Sequence, residues 1–217
     1  MKKLLLCAAV LALTVTGCKK AEDKAVETGS ADTVKVEAPA AETAETAAPP
    51  SKEEMEKAWG EYMTPGEMHK LLASDVGSWK ANMTMYMDPT NPTKAESTAD
   101  IKMVMGGRYQ EAHYKGKIDG MDFEGVASVG FNNASKKFES TWMDNMGTGV
   151  MYTTGEYDPA SKSITFKGSS VDPMTKKEKG FREVYTFVDD NTRKMEMFDS
   201  DPTGKEYKSM EIELKRK

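Results

Sequence analysis

The chain has 217 residues, 30% of them charged, and a formal net charge of −5 at pH 7. Its lysines are scattered rather than gathered into a basic patch, so we predict no nucleic-acid partner. The sequence also lacks a nucleophile elbow, a phosphate-binding loop and the H-E-x-x-H motif, which excludes the enzyme classes that depend on them.

An export signal of the bacterial type begins the chain. A basic start precedes an apolar core at residues 4–15, which is too short to span a bilayer comfortably. The V-T-G-C that ends at Cys18 resembles the lipobox of bacterial lipoproteins, where small residues precede a cysteine whose thiol takes a diacylglycerol group. We therefore predict a signal peptide at residues 1–17 and lipid attachment at Cys18. An ordinary signal peptide with an incidental cysteine is the alternative.

Processing at Cys18 would have two consequences. It would remove Cys7 with the signal peptide, so the mature chain would hold neither a disulfide nor a thiolate metal site. It would also anchor the protein to a membrane, because lipoproteins of this type carry more than one acyl chain. The predicted location is the cell envelope. Lys19, in place of the aspartate of an inner-membrane retention signal, favours the outer membrane, on its periplasmic side or at the surface.

Residues 18–50 have the composition of a tether. After the cysteine they are mostly Ala, Glu, Thr, Lys and Pro, with no aromatic residue. Such a segment cannot bury enough apolar surface to offset the entropy lost on ordering. We predict that it is disordered.

Two short helices are predicted at the start of the folded part, within residues 51–77. Ser51 and Glu54 form a capping box, and an apolar stripe at helical spacing follows it. Thr64 is the expected cap of a second helix that ends near Ser74. We expect the helices to cover one end of the domain that follows.

From residue 78 to 217, apolar residues alternate with polar ones, and turn residues separate the runs, as in antiparallel strands joined by hairpins. The runs begin near Trp79, Thr98, Arg108, Asp122, Lys136, Gly149, Ser163, Gly180, Arg193 and Glu206. A long meander exposes its edges unless it closes on itself. We predict an all-β fold, an antiparallel up-and-down β-barrel of about ten strands with a lipocalin-like or fatty-acid-binding-like shape. A sandwich is the alternative.

Two of the predicted strands carry a polar residue among apolar ones. In the third strand Gln110 lies on one face and Glu111 on the other, so a polar group faces inward in either orientation. In the eighth, Glu183 shares a face with Tyr185 and Phe187. A buried charge costs several kcal/mol unless it is paired or solvated. These positions therefore predict an internal ion pair or a wet cavity.

Several motifs together resemble those of a known family. They are MGGRY at 105–109, GMDFEG at 120–125, STWMDNMGTG at 140–149 and DPMTKKEKGFREV at 172–184. On these motifs the chain is similar to the domain-of-unknown-function family 1579, over residues 64–217. The resemblance implies no activity and no catalytic residues.

The two histidines are too few for a multi-histidine metal site. His69 lies on the second helix and is expected at the surface or the rim, and His113 is the only histidine in a strand. A haem held by His113 alone is the weaker alternative. We predict no metal and no cofactor.

Candidate ligand-binding residues lie where the mouth of a barrel is expected. Trp142 ends a central strand, and a glycine-rich loop follows it. The candidates are Trp142, Asp144, Asn145, Tyr152, His113 and Arg182. His113 and Arg182 would meet an anionic head group if their strands turn those faces inward. The 17 methionines would suit an irregular ligand, with simple gap-filling as the alternative.

Binding of a small apolar or amphipathic molecule inside the barrel is therefore the leading functional prediction. The alternative is a structural or protein-interaction module with a filled barrel and no ligand. An enzyme ranks third, since it would need convergent polar residues at one mouth of the barrel. No catalytic residue is predicted.

Overall fold

The computed structural model describes residues 49–88, 90–201 and 203–217. The predicted signal peptide, Cys18 and all but the last two residues of the predicted tether lie outside the described residues.

Two helices come first, α1 (Lys52–Met63) and α2 (Glu67–Ala73). The capping box of α1 is confirmed: the Glu54 N–H donates to Ser51 Oγ at 3.2 Å, and the Ser51 N–H donates to Glu54 Oε2 at 2.7 Å. Neither helix of the described part of the chain is long and apolar enough to cross a membrane.

The start of α2 differs from the prediction. Its N-cap is Gly66, whose N–H donates to Nδ1 of His69 at 3.0 Å. Thr64 instead ends α1, where its hydroxyl donates to the Gly60 carbonyl at 2.7 Å. The expected role of Thr64 as cap of α2 is wrong, because the helix begins only at Glu67, after Gly66.

The β-domain has ten strands. They are β1 (Gly77–Met85), β2 (Thr93–Val104), β3 (Tyr109–Ile118), β4 (Met121–Asn132), β5 (Lys137–Asp144), β6 (Met151–Asp158), β7 (Ser163–Val171), β8 (Glu178–Asp189), β9 (Thr192–Ser200) and β10 (Glu206–Arg216). Each strand pairs antiparallel with the next, and β1 also pairs with β10. The predicted closed up-and-down barrel is confirmed. β2 begins earlier than expected, at Thr93.

The two ends of the barrel differ in what covers them. At the end where β1 begins, called here the helix end, the connections are 105–108, 133–136, 159–162 and 190–191, and α2 packs across this end. At the other end, called the loop end, they are 86–92, 119–120, 145–150, 172–177 and 201–205. Most loop-end connections are thus longer than those of the helix end.

Side chains fill the helix-end half of the barrel. Trp79 is completely buried, and its indole N–H donates to the Asp75 carbonyl at 2.8 Å. Leu72 of α2 is buried among aromatic and aliphatic side chains of the barrel, a contribution of about 1.5–3 kcal/mol for one such side chain. Asp75, in the segment that joins α2 to β1, is therefore part of the core.

A buried ion pair joins this segment to β9. Asp75 and Arg193 are 1% and 3% exposed, and Arg193 Nε donates to Asp75 Oδ1 at 2.6 Å. Gln110 Nε2 and the Tyr185 hydroxyl each donate to Asp75 Oδ2 at 3.1 Å. Burial raises the pKa of Asp75, and the charge of Arg193 together with these hydrogen bonds opposes the rise. Each oxygen of the carboxylate thus has a partner.

Gln110 explains the mixed pattern of β3. Gln110, Ala112 and Tyr114 face inward, while Tyr109 and His113 face outward. The buried amide of Gln110 also donates to the Leu72 carbonyl at 2.9 Å. The inward-facing polar residue of β3 therefore donates a hydrogen bond to the buried ion pair at the helix end.

Candidate ligand-binding cavity

The loop-end half of the barrel contains a cavity of about 380 Å³. This volume lies within the range of small-molecule sites. All ten strands contribute to its wall, and most of the side chains that they place there are aliphatic or aromatic. The methionines of the wall are Met83, Met85, Met146, Met151, Met195, Met197 and Met210.

Three of these methionines lie side by side. The strand register pairs Met85 with Met210, Met210 with Met197, and Met197 with Glu183. Neighbouring side chains in such a row stand about 5 Å apart at Cβ. One sector of the wall is therefore a continuous strip of thioethers that ends at a carboxyl group.

Trp142 forms a second, aromatic sector. Its ring lies edge-on to Tyr114 at 5.4 Å between centroids and is stacked with Phe123 at 6.3 Å. A Cβ on Gly125 would collide with the indole ring, so glycine at this position makes room for it. The aromatic sector is thus built by close packing.

Asp144 holds the indole in place. Its Oδ2 accepts the Trp142 Nε1–H at 2.6 Å, and its Oδ1 accepts the N–H groups of Met146 and Gly147 at 2.9 and 3.1 Å. Both carboxylate oxygens are therefore engaged. Asp144 orients Trp142 and shapes the loop that begins at the cavity.

The carboxyl group of Glu183 has a different environment from that of Asp144. It lines the cavity, and within the described part of the chain no side chain or backbone group donates a hydrogen bond to its carboxyl or pairs with its charge. Burial alone raises its pKa to about 7. Some of its surface is still accessible, because it faces the cavity. Of the two arrangements predicted from the β8 pattern, a cavity rather than an ion pair is found at Glu183.

The tyrosines of the wall remain neutral. Burial raises the pKa values of both Tyr114 and Tyr185, with a further contribution from the charge of Glu183 at Tyr114. Among the described residues that line the cavity there is no Lys, Arg or His. Arg193, buried at the helix end, is already bound to Asp75. The cavity is therefore apolar and acidic.

Only some of the predicted site residues line the cavity. Trp142 and Asp144 line the cavity. Asn145 does not, because it ties the β5–β6 loop to β4: its Oδ1 accepts the Glu124 N–H at 2.9 Å and its Nδ2 donates to the Asp122 carbonyl at 2.8 Å. Tyr152 also lies outside the cavity, since its side chain faces outward from β6.

His113 and Arg182 are on the outer face of the barrel, contrary to the condition set for a head-group site. His113 Nε2 lies 2.7 Å from Glu111 Oε1. Arg182 makes a two-pronged contact with Glu206, at 2.9 and 2.6 Å, and its guanidinium is 3.9 Å from the Phe198 ring centroid. Both positions were ambiguous because β3 and β8 carry polar and apolar residues on each face. His113 cannot hold a haem in this cavity from its place on the outer face.

Tyr152 lines a separate outer groove of about 300 Å³ between the α1–α2 segment and the sheet. His69 lies in the same groove and is 6% exposed, so of the surface and rim positions expected for His69 the surface one is wrong. Burial lowers its pKa, and Nδ1 accepts the Gly66 N–H, which requires an unprotonated Nδ1. His69 is therefore a buried cap of α2.

The exposed side of α1 borders this groove. No residue of α1 is buried, and Trp59 is 60% exposed. The expectation that both helices cover the barrel holds for α2, which packs on its end. It does not hold for α1, whose apolar stripe is exposed.

Sequence reasoning missed Asp75 and Arg193, which come from positions 118 residues apart. No local pattern indicates such a pair, because Asp75 follows a helix like any turn residue. The Glu183 anomaly, together with the methionine content and the position of Trp142, was the signal in the sequence that pointed to the cavity.

Fold and cavity together define a lipocalin-like antiparallel β-barrel, covered by a helix at one end and hollow towards the other. The chain belongs to the family described as protein of unknown function (DUF1579), whose model matches residues 64–216. The resemblance seen in the motifs is thereby confirmed. No curated protein matches the chain.

Two solved structures are similar to this chain. The crystal structure of Rv2717c from M. tuberculosis has a TM-score of 0.54 at 13% identity, over 71% of this chain and 99% of that chain. The structure of the S-type phycobiliprotein lyase CPES from Guillardia theta has a TM-score of 0.48 at 13% identity, over 77% of this chain and 98% of that one. At 13% identity, the likeness to Rv2717c is one of fold.

Proposed function

We propose that this protein binds a small, largely apolar molecule inside the barrel, and that Cys18 anchors it by lipid to the cell envelope, with the outer membrane favoured. The observation that carries the binding proposal is the unfilled apolar half of the barrel. Its wall holds flexible thioethers together with a fixed indole ring, a combination that suits a ligand of irregular shape.

The volume of the cavity limits the size of the ligand. A water molecule occupies about 30 Å³ of liquid volume, so about 380 Å³ has room for roughly a dozen heavy atoms. A medium-length alkyl chain with one polar end meets this limit. A ligand of this size can bury most of its surface in the cavity, which is the main source of its binding free energy.

The alternative is a protein-interaction role, and one observation favours it. The apolar face of α1 is exposed, including Met55, Trp59, Tyr62 and Met63. That alternative, however, required a filled barrel. The cavity makes binding of a small molecule the better-supported function.

Binding is tested with decanol, a neutral probe of about a dozen heavy atoms. We expect saturable binding by isothermal titration calorimetry. Ala127→Phe, which places a ring in the cavity beside Trp142, should abolish the binding, whereas Thr154→Phe on the outer face of β6 should leave it intact. Both variants are first checked for a cooperative thermal transition. Absence of saturable binding to the wild-type protein would contradict the proposal.

Anchoring rests on the V-T-G-C sequence at Cys18 and on the apolar core before it. We expect that Cys18→Ser abolishes incorporation of a radiolabelled fatty acid and leaves unprocessed precursor in cells. Cys7→Ser is the matched control, since Cys7 lies inside the apolar core and its loss should not affect labelling. Equal labelling of the Cys18 variant and the wild type would exclude lipid attachment at this cysteine.

A further inference from the structure

We propose that the cavity recognises a cationic amphiphile, an apolar chain that ends in an amine, and that Glu183 is the residue that binds the ammonium group. This inference rests on the proposed binding of an apolar molecule and adds the charge of its polar end. It reverses the expectation of an anionic head group, which depended on His113 and Arg182.

The carboxyl groups of the barrel interior differ in the hydrogen bonds that they accept. Asp75 has a guanidinium and two further donors, and Asp144 accepts three N–H groups. Within the described residues, Glu183 has none of these. A carboxyl group that faces a cavity and has no partner in the protein can be paired only by a group that enters the cavity.

The charge of the cavity wall also favours an amine. Its two acidic groups are Asp144 and Glu183, and none of the described residues that line it is basic. A carboxylate ligand would meet a like charge with nothing to neutralise it. An ammonium group would instead supply the donor and the charge that Glu183 lacks.

The side chains around Glu183 also suit an amine with an apolar tail. In the strand register it lies between Phe166 and Met197, and the indole of Trp142 and the phenol ring of Tyr114 belong to the same cavity. Aromatic faces attract alkylammonium groups, and thioethers accommodate the methylene chain next to them. Carboxylate, aromatic rings and thioethers together suit an amine with an apolar tail better than a neutral alcohol.

A protonation change follows from this geometry. The titratable groups around Glu183 are Tyr114 and Tyr185, both held neutral by burial, Asp144 elsewhere in the wall, and the Asp75–Arg193 pair towards the helix end. Burial raises the pKa of Glu183 to about 7, so near pH 7 it is about half protonated. A bound ammonium favours the carboxylate and drives that proton into solvent.

The test compares three probes with chains of equal length: decylamine, decanol and decanoate. Isothermal titration calorimetry at pH 7, below the concentration at which each probe forms micelles, gives the three affinities. Repeating the decylamine titration in two buffers of different ionisation enthalpy counts the protons released. We expect decylamine to bind at least about tenfold more tightly than decanoate, with release of about half a proton.

Glu183→Gln should remove the preference for decylamine and the proton release while retaining decanol binding. The matched control is Glu213→Gln, which removes the same charge from the exposed outer face of β10 and should behave as wild type. A cooperative thermal transition shows that each variant is folded.

The possible outcomes separate the two proposals. Equal binding of the three probes, or tightest binding of decanoate, overturns the cationic ligand and leaves apolar binding standing. Preferential binding of decylamine that survives Glu183→Gln overturns the role of Glu183. Failure of all three probes to bind overturns both proposals together.

Discussion

Two carboxyl groups inside this barrel, those of Asp75 and Glu183, have opposite environments. At the helix end, a carboxylate is enclosed with a guanidinium, an amide and a phenol that all donate to it. Towards the loop end, the carboxyl of Glu183 faces an open cavity and has no such donor among the described residues. The same chemical group is therefore part of the core in one half and available to a ligand in the other.

This contrast indicates which half is expected to carry function. A satisfied polar network holds one arrangement of its side chains, and removing any member leaves its partners unpaired. A carboxyl group without hydrogen-bond partners lowers the stability of the folded protein. Such a group is expected where a bound ligand supplies the missing partner. Substitutions in each half can therefore test the contrast between Asp75 and Glu183.

Loss of the charge partner at the helix end should have the greatest effect. Arg193→Met should lower the free energy of unfolding by about 3–5 kcal/mol, because it leaves the Asp75 carboxylate buried without its cation. The measurement is urea denaturation followed by tryptophan fluorescence. Asp75→Asn in the Arg193→Met background should recover part of the loss.

The barrel provides a matched control for that loss. Arg182 also pairs with a carboxylate, that of Glu206, but on the outer face in contact with solvent. Arg182→Met should lower the free energy of unfolding by about 1 kcal/mol or less. Equal losses for the two arginine variants would show that the helix-end pair is no more important than a surface pair.

A smaller effect is expected in the aromatic sector of the cavity. Gly125→Ala places a methyl group against the Trp142 ring and should destabilise the protein by about 1–3 kcal/mol, with a shift in tryptophan emission as the ring moves. Gly149→Ala in the adjoining loop is the control, since no described atom lies within 4 Å of the position that its Cβ would take. An unchanged emission spectrum in the Gly125 variant would mean that the indole is not held as described.

The barrel itself was predictable from the sequence, and much of the site was not. Alternation in β1, β2 and β10 identifies one apolar face, so most strand positions followed from local pattern. Closure was predicted because a long meander would otherwise expose its edges, with a sandwich as the alternative. In β3 and β8 each face mixes polar and apolar residues, so the pattern did not decide on which side His113 and Arg182 would lie. The position of Glu183 on the aromatic face was predictable. Its lack of a partner was not, because that depends on residues from other strands.

The smallest effect is the pH dependence of stability at Glu183. Its pKa is about 7 in the folded protein and near 4.5 in the unfolded chain, so between these values the folded state holds more of the proton. The contribution of Glu183 to stability is therefore fully present below pH 4.5 and is lost as the pH rises through 7. Because the carboxyl faces the cavity and keeps part of its surface accessible to solvent, we expect a loss of about 1–2 kcal/mol.

The difference between the wild type and Glu183→Gln isolates this contribution from the other titrating groups. The two proteins should have nearly equal free energies of unfolding at pH 4.5, and the Gln variant should be the more stable one at pH 8. Urea denaturation at a series of pH values measures both. Saturating decylamine should diminish the disadvantage of the wild type at pH 8, because it supplies the partner that Asp75 finds within the protein. A difference that is independent of pH would show that Glu183 has an ordinary, solvated carboxyl group, and the contrast between the two halves would then be one of packing alone.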